Sequence, residues 1–202
     1  KFGKAYSVDE VVAIVMKDLD YYKNSNGGVT FSGGEAINQV DFLNQLGKKL
    51  KSLNINMCLD MSGYDPLFKV RETLSYIDRY LLDYKVSDQS TYEKYIGHKN
   101  NFKEIIDFLA KNNKDVTLRC PIIPGVNDSK EHFKKIADLS KSYPNIKKVD
   151  ILPYHNMVKN FKFKYVNKPQ LFDVPSSQEK ESWKIKLREF GLVNGWLDNK
   201  LI

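Results

Sequence analysis

Four glycines and a glutamate fall within the stretch Gly27-Gly28-Val29-Thr30-Phe31-Ser32-Gly33-Gly34-Glu35-Ala36. A glycine-rich turn after a β-prone run ordinarily cradles phosphate, using backbone N–H groups and a nearby lysine. Here the last glycine pair is followed by Glu35, and a carboxylate in that place repels phosphate. Glycine lets a ligand approach the backbone closely, and the glutamate supplies negative charge. Such a turn suits a positively charged group.

Further groups that bind or titrate stand at the ends of other strand-like runs: Asp60, Asp83-Tyr84-Lys85, Arg119 and His155. Each has an ordinary structural reading. Asp60 and Asp83 would serve as loop caps, Lys85 as a solvated lysine, Arg119 as an ion-pair partner and His155 as a satisfied core histidine. Their shared position carries more weight, because ligands of parallel α/β proteins bind at the carboxyl ends of the strands. A rim with Glu35, Asp60 and Asp83 on one side of the charge balance and Lys85, Arg119 and His155 on the other suits a cation that also carries a carboxylate.

The elements that must hold this rim alternate along the chain. Ser7 with Glu10 forms a capping box, and apolar residues at helical spacing predict a helix over about 8–22. Helices are also predicted over 40–53, 66–76, 90–96, 101–111, 129–142 and 178–190. Strands are predicted over 29–32, 55–59, 80–82, 116–122 and 149–152. Strand and helix in alternation argue a parallel α/β sheet in one domain, residues 1–202. Five strands are too few for a closed (β/α)8 barrel. The helix before the first strand implies a further strand before Lys1. The irregular stretch 157–174 reads as a long surface loop.

Composition sets outer bounds. The 202 residues are 42% apolar, enough for a sizeable core, and carry a formal net charge of +7. Charge speaks to solubility and loose association rather than fold. Lys159, Lys162, Lys164 and Lys168, interleaved with Phe161, Phe163 and Tyr165, would suit an acidic partner. No nucleic-acid module is recognisable. No apolar run approaches the roughly 20 residues of a membrane span, and no signal peptide is visible. Cys58 and Cys120 lie in separate apolar runs without zinc or Cys-x-x-Cys spacing, so they read as reduced thiols of a cytoplasmic protein.

Taken in order, Gly27–Ala36, Cys58–Gly63 (CLDMSG), Leu82–Lys85 (LDYK), Arg119–Asp128 (RCPIIPGVND) and Leu152–His155 (LPYH) resemble the radical S-adenosylmethionine (radical SAM) family. Within it they are similar to the activating enzymes of glycyl radical enzymes. The resemblance covers nearly the whole chain. It implies a partial (β/α) barrel with SAM as cofactor. Gly33, Gly34 and Glu35 match the family's motif for the methionyl amino group. Asp83, Tyr84 and Lys85 match an Asp-x-Lys motif of the same site, with Arg119 at a strand end and His155 near ribose and carboxylate. Asp60 with Asp83 matches a pair of carboxylates that hold a monovalent cation.

The family's Cys-x3-Cys-x2-Cys loop, which binds a [4Fe–4S] cluster, is not in the sequence, and Cys58 and Cys120 do not replace it. Its ligands, with the first strand, are expected upstream of Lys1, and the fragment alone is expected to be inactive. The lead-in to the first strand resembles activating enzymes that carry a ferredoxin-like insert with further clusters. For the whole protein the resemblance implies reductive SAM cleavage and formation of a glycyl radical on a partner such as pyruvate formate-lyase. It also implies an electron donor such as flavodoxin or ferredoxin. Three other readings stand beside it. One is a radical SAM enzyme acting on a small molecule or peptide. Another is a non-catalytic basic binding module using Lys159–Lys168. The last is a sugar-phosphate enzyme, against which Glu35 speaks.

Overall fold

A computed structural model of the chain describes residues 4–97, 100–156 and 171–202. The basic and aromatic residues from Lys159 to Lys168 lie outside the described residues. The chain opens with α1 (Val8–Val15), a 3-10 turn (Met16–Asp18) and α2 (Leu19–Ser25). It continues through β1 (Gly28–Phe31), a 3-10 turn (Ala36–Gln39), α3 (Val40–Ser52), β2 (Asn56–Met61), α4 (Leu67–Thr73), β3 (Arg79–Asp83), α5 (Gln89–Tyr95) and α6 (Phe102–Lys111). The second part holds β4 (Asp115–Ile122), α7 (Lys130–Ser142), β5 (Ile146–Pro153), α8 (Ser177–Glu189), β6 (Gly195–Leu197) and β7 (Lys200–Leu201). Among the described residues, seven strands follow one another in chain order in a single sheet.

The chain divides into two compact units, Lys1–Leu82 with Asn101–Val116, and Asp83–Asn100 with Thr117–Ile202. In the first, β1, β2 and β3 are parallel neighbours, with Phe31 opposite Leu59 and Leu59 opposite Tyr80. Met57, Leu59 and Met61 bury one side of β2, whereas Asn56, Cys58 and Asp60 on the other side are less covered. Helix α3 supplies the cover for the apolar side, through Leu43, Leu46, Gly47 and Leu50 at helical spacing. Parallel strands buried on both faces read as continuous apolar runs. The alternation in β2 follows instead from one helix-covered face and one polar face.

In the second unit β5 alternates from Lys148 onward, with Val149, Ile151 and Pro153 buried and Lys148, Asp150 and Leu152 on the opposite face. Phe133, Ile136 and Ala137 of α7 and Trp183 and Leu187 of α8 form its core. β6 runs parallel to β5, with Asp150 opposite Trp196, and β7 returns antiparallel to β6.

Two expectations need correction. The helix over 8–22 is interrupted by the 3-10 turn at Met16–Asp18 and resumes to Ser25, where Asn26 ends it in the left-handed region at φ 55°. Among the described residues the strands number seven rather than five, because Gly195–Leu201 forms a hairpin. Its two-residue turn, Asp198-Asn199, has both φ values positive (49° and 60°), the backbone that matches the twist of tightly paired strands. Strands of three and two residues are too short to show a period.

Candidate functional site

The first unit places the glycine turn at the carboxyl end of β1. Gly33 and Gly34 have φ of 91° and 55°, and a Cβ built on either meets no atom within 4 Å. Positive φ favours glycine, and the space beside the backbone is open to a ligand. Glu35 follows in extended conformation at φ −128°, and its carbonyl accepts from the Asn38 N–H at 3.1 Å. Its carboxylate is fixed from the end of β2, because Oε2 accepts from the Ser62 N–H at 3.2 Å and from the Ser62 hydroxyl. A third bond joins the turn after β1 to the end of β2, from Ser32 Oγ to Asp60 Oδ2 at 2.8 Å. Asn101 Nδ2 holds the β2 loop from behind, donating to the carbonyls of Tyr64 (2.8 Å) and Asp65 (3.1 Å). Glu35, Asp60 and the buried Asp65 make this end acidic.

The second unit gathers Asp83, Lys85 and Arg119. Arg119 donates from Nε (2.9 Å) and Nη2 (2.8 Å) to Asp83 Oδ1, and Lys85 Nζ lies 2.9 Å from Asp83 Oδ2. Two cations on one carboxylate leave the group net positive, the sign that recognises an anionic end of a ligand. The Tyr84 N–H donates to the Arg119 carbonyl at 2.7 Å, which ties the segment after β3 to β4. The Tyr84 ring is turned into the packing, 9% exposed and stacked on the His132 imidazole at 5.4 Å between centroids. Burial pushes its phenol up to about 12. Asp83 and Lys85 are thus the residues of that tripeptide that present polar side chains. His155 stands exposed past the end of β5 and borders a cleft of about 240 Å³ with Leu152, Trp196 and Asn199.

The donor sets fit SAM in kind. An acidic glycine turn suits an ammonium, and an Arg–Lys pair around a carboxylate suits a carboxyl group. They do not fit an iron–sulfur cluster. Burial raises both thiols, Cys120 most because it is fully enclosed, and cluster ligation requires thiolates. Among the described residues no three His, Cys, Asp or Glu side chains gather into a metal site, and no helix is long and apolar enough to cross a membrane. Asp60 belongs to the first unit and Asp83 to the second. Ser62, Asn127 and His132 escaped the sequence reading as site residues. Ser62 and Asn127 stand inside quoted motifs, which was the only signal available.

No family model matches the chain. Over 156 residues it is 34% identical to the pyruvate formate-lyase-activating enzyme of Clostridium pasteurianum, covering 77% of this chain and 65% of that protein. Over 163 residues it is 31% identical to the pyruvate formate-lyase 1-activating enzyme of Escherichia coli K12, covering 78% and 65%. The chain thus spans just under two thirds of the length of these relatives. Its fold matches a crystal structure of a domain of pyruvate-formate lyase-activating enzyme from Bacteroides vulgatus, with a TM-score of 0.68 at 24% identity over 85% of this chain and 98% of that one. In sequence the chain is thus similar to pyruvate formate-lyase-activating enzymes, and in fold to a solved domain of one of them.

Proposed function

We propose that this chain is the SAM-binding core of an activating enzyme for a glycyl radical enzyme such as pyruvate formate-lyase. The observation that carries the reading is the turn after β1, where two glycines leave open space beside a glutamate already oriented by Ser62. Glu35 would hold the methionyl ammonium, and its two bonds from Ser62 fix the carboxylate before the ligand arrives, which lowers the ordering cost of binding. Lys85 and Arg119, held by Asp83, would face the ligand's carboxylate. His155 would border the ribose. Bound SAM is the source of the 5′-deoxyadenosyl group with which the family removes a hydrogen from glycine. Cluster ligation is assigned to no residue of this chain. A flavodoxin or ferredoxin is the proposed electron donor to the whole protein, and the cytoplasm its compartment.

Isothermal titration of the chain with SAM tests the assignment. Wild type is expected to bind, and Glu35→Gln to weaken binding about 10- to 100-fold, since a charge-assisted hydrogen bond becomes a neutral one. Equal binding by the two proteins overturns it.

A further inference from the structure

The segment that presents Lys85, between β3 and α5, is short and irregular. Tyr84 is tied through its N–H to Arg119, and Ser87 Oγ lies 3.0 Å from His132 Nδ1. Between them, the Lys85 carbonyl receives a 2.6 Å hydrogen bond from Asn127 Nδ2. Asn127 is 5% exposed. The same nitrogen donates to the Pro121 carbonyl at 2.7 Å, and Asn127 Oδ1 accepts from the Ile123 N–H at 2.7 Å. One amide group thus joins the end of β4, the loop after it and the segment after β3.

The chemistry explains why an amide stands there. Pro121 and Pro124 have no N–H to give, so the Pro121–Asn127 stretch is rich in acceptors. An asparagine side chain offers two donors and an acceptor in one plane. Its orientation follows from its partners, because two carbonyls must face the NH2 and one N–H must face the oxygen. Gly125, at φ 71°, turns the chain back so that Asn127 reaches Ile123 and Pro121.

We propose that Asn127 is a positioning residue for SAM binding. By fixing the Lys85 backbone it holds the Lys85 ammonium against Asp83. The inference rests on the reading that Lys85 and Arg119 contact SAM. Polar groups in a binding constellation must be held to within a fraction of an ångström to act, and a lysine side chain alone is too mobile for that.

The test uses Asn127→Ala, with Asn127→Ser as a second variant that keeps one hydroxyl donor and folds if alanine does not. Competitive acetylation read by mass spectrometry gives the reactivity of Lys85 relative to Lys134, and calorimetry gives SAM affinity. The expected result is a several-fold rise in relative Lys85 reactivity together with at least a ten-fold loss of affinity, at unchanged affinity in a control, Asn44→Ala. Unchanged Lys85 reactivity overturns the proposal, as does raised reactivity with wild-type affinity. If the wild-type chain binds no SAM, the reading of the site fails and the proposal with it, while Lys85 reactivity still reports whether the clamp exists.

Discussion

Arg119 brings Nε and Nη2 to a single oxygen of Asp83, at 2.9 and 2.8 Å, and leaves the other oxygen to Lys85. The three partners are unequal. Arg119 and Asp83 are 26% and 16% exposed, enough burial for their contact to outweigh a surface pair. Removing the carboxylate leaves two cations facing each other, whereas removing Lys85 leaves the Arg119 contact intact.

Asp83→Asn is therefore expected to cost about 1–3 kcal/mol of stability, scaled down from fully buried pairs because the group is partly solvated. Lys85→Met is expected to cost less than about 1 kcal/mol. Urea unfolding of both variants checks the order. A larger loss for Lys85→Met would mean that the Arg119 contact contributes little.

A second prediction concerns Gly47, on the buried face of α3. Alanine in a helix is favoured over glycine by up to about 1 kcal/mol. Here a Cβ would stand 2.3 Å from Cδ2 of Tyr76, a residue 1% exposed whose hydroxyl is bonded to Asn44. The ring has no room to yield, so overpacking, at about 1–3 kcal/mol, wins. Gly47→Ala should lower the melting temperature, and a rise would show that Tyr76 repacks.

The third prediction is a pH dependence. His132 is 2% exposed, and burial holds its imidazole down to about 4 from the ordinary 6.5, against an opposing pull from Asp88. Between those values the unfolded chain binds a proton that the folded chain does not. Stability from this group is whole above pH 6.5 and is lost as the pH falls toward 4. The loss amounts to about 3 kcal/mol. Urea midpoints at pH 7, 6 and 5 should fall for wild type and fall less for His132→Phe, which keeps an aromatic ring against Tyr84. Parallel slopes for the two proteins would remove His132 as the cause.

The parallel sheet and most helices were legible because apolar spacing and capping residues state them locally. The Ser7–Glu10 box is in place, and α3 starts at Val40 as its periodicity predicts. Glu35 and Asp83 were legible as polar groups at or just past the ends of β1 and β3, because each interrupts an apolar or β-prone run. Ser62 and Asn127 were not, since a hydroxyl or amide acquires its role only when loops distant in sequence meet. Asn127 meets Lys85 across 42 positions, and no local pattern encodes that. The Trp196 hairpin was missed for a different reason, its strands being shorter than any period.

The two ends of the sheet differ in what they offer another molecule. At one end β7 is antiparallel, two residues long and begins with Lys200, a form that blunts edge-to-edge pairing. At the other, β1 has four residues and, among the described residues, pairs with β2. Among the described residues, extension of the sheet is therefore expected at β1 rather than at β7.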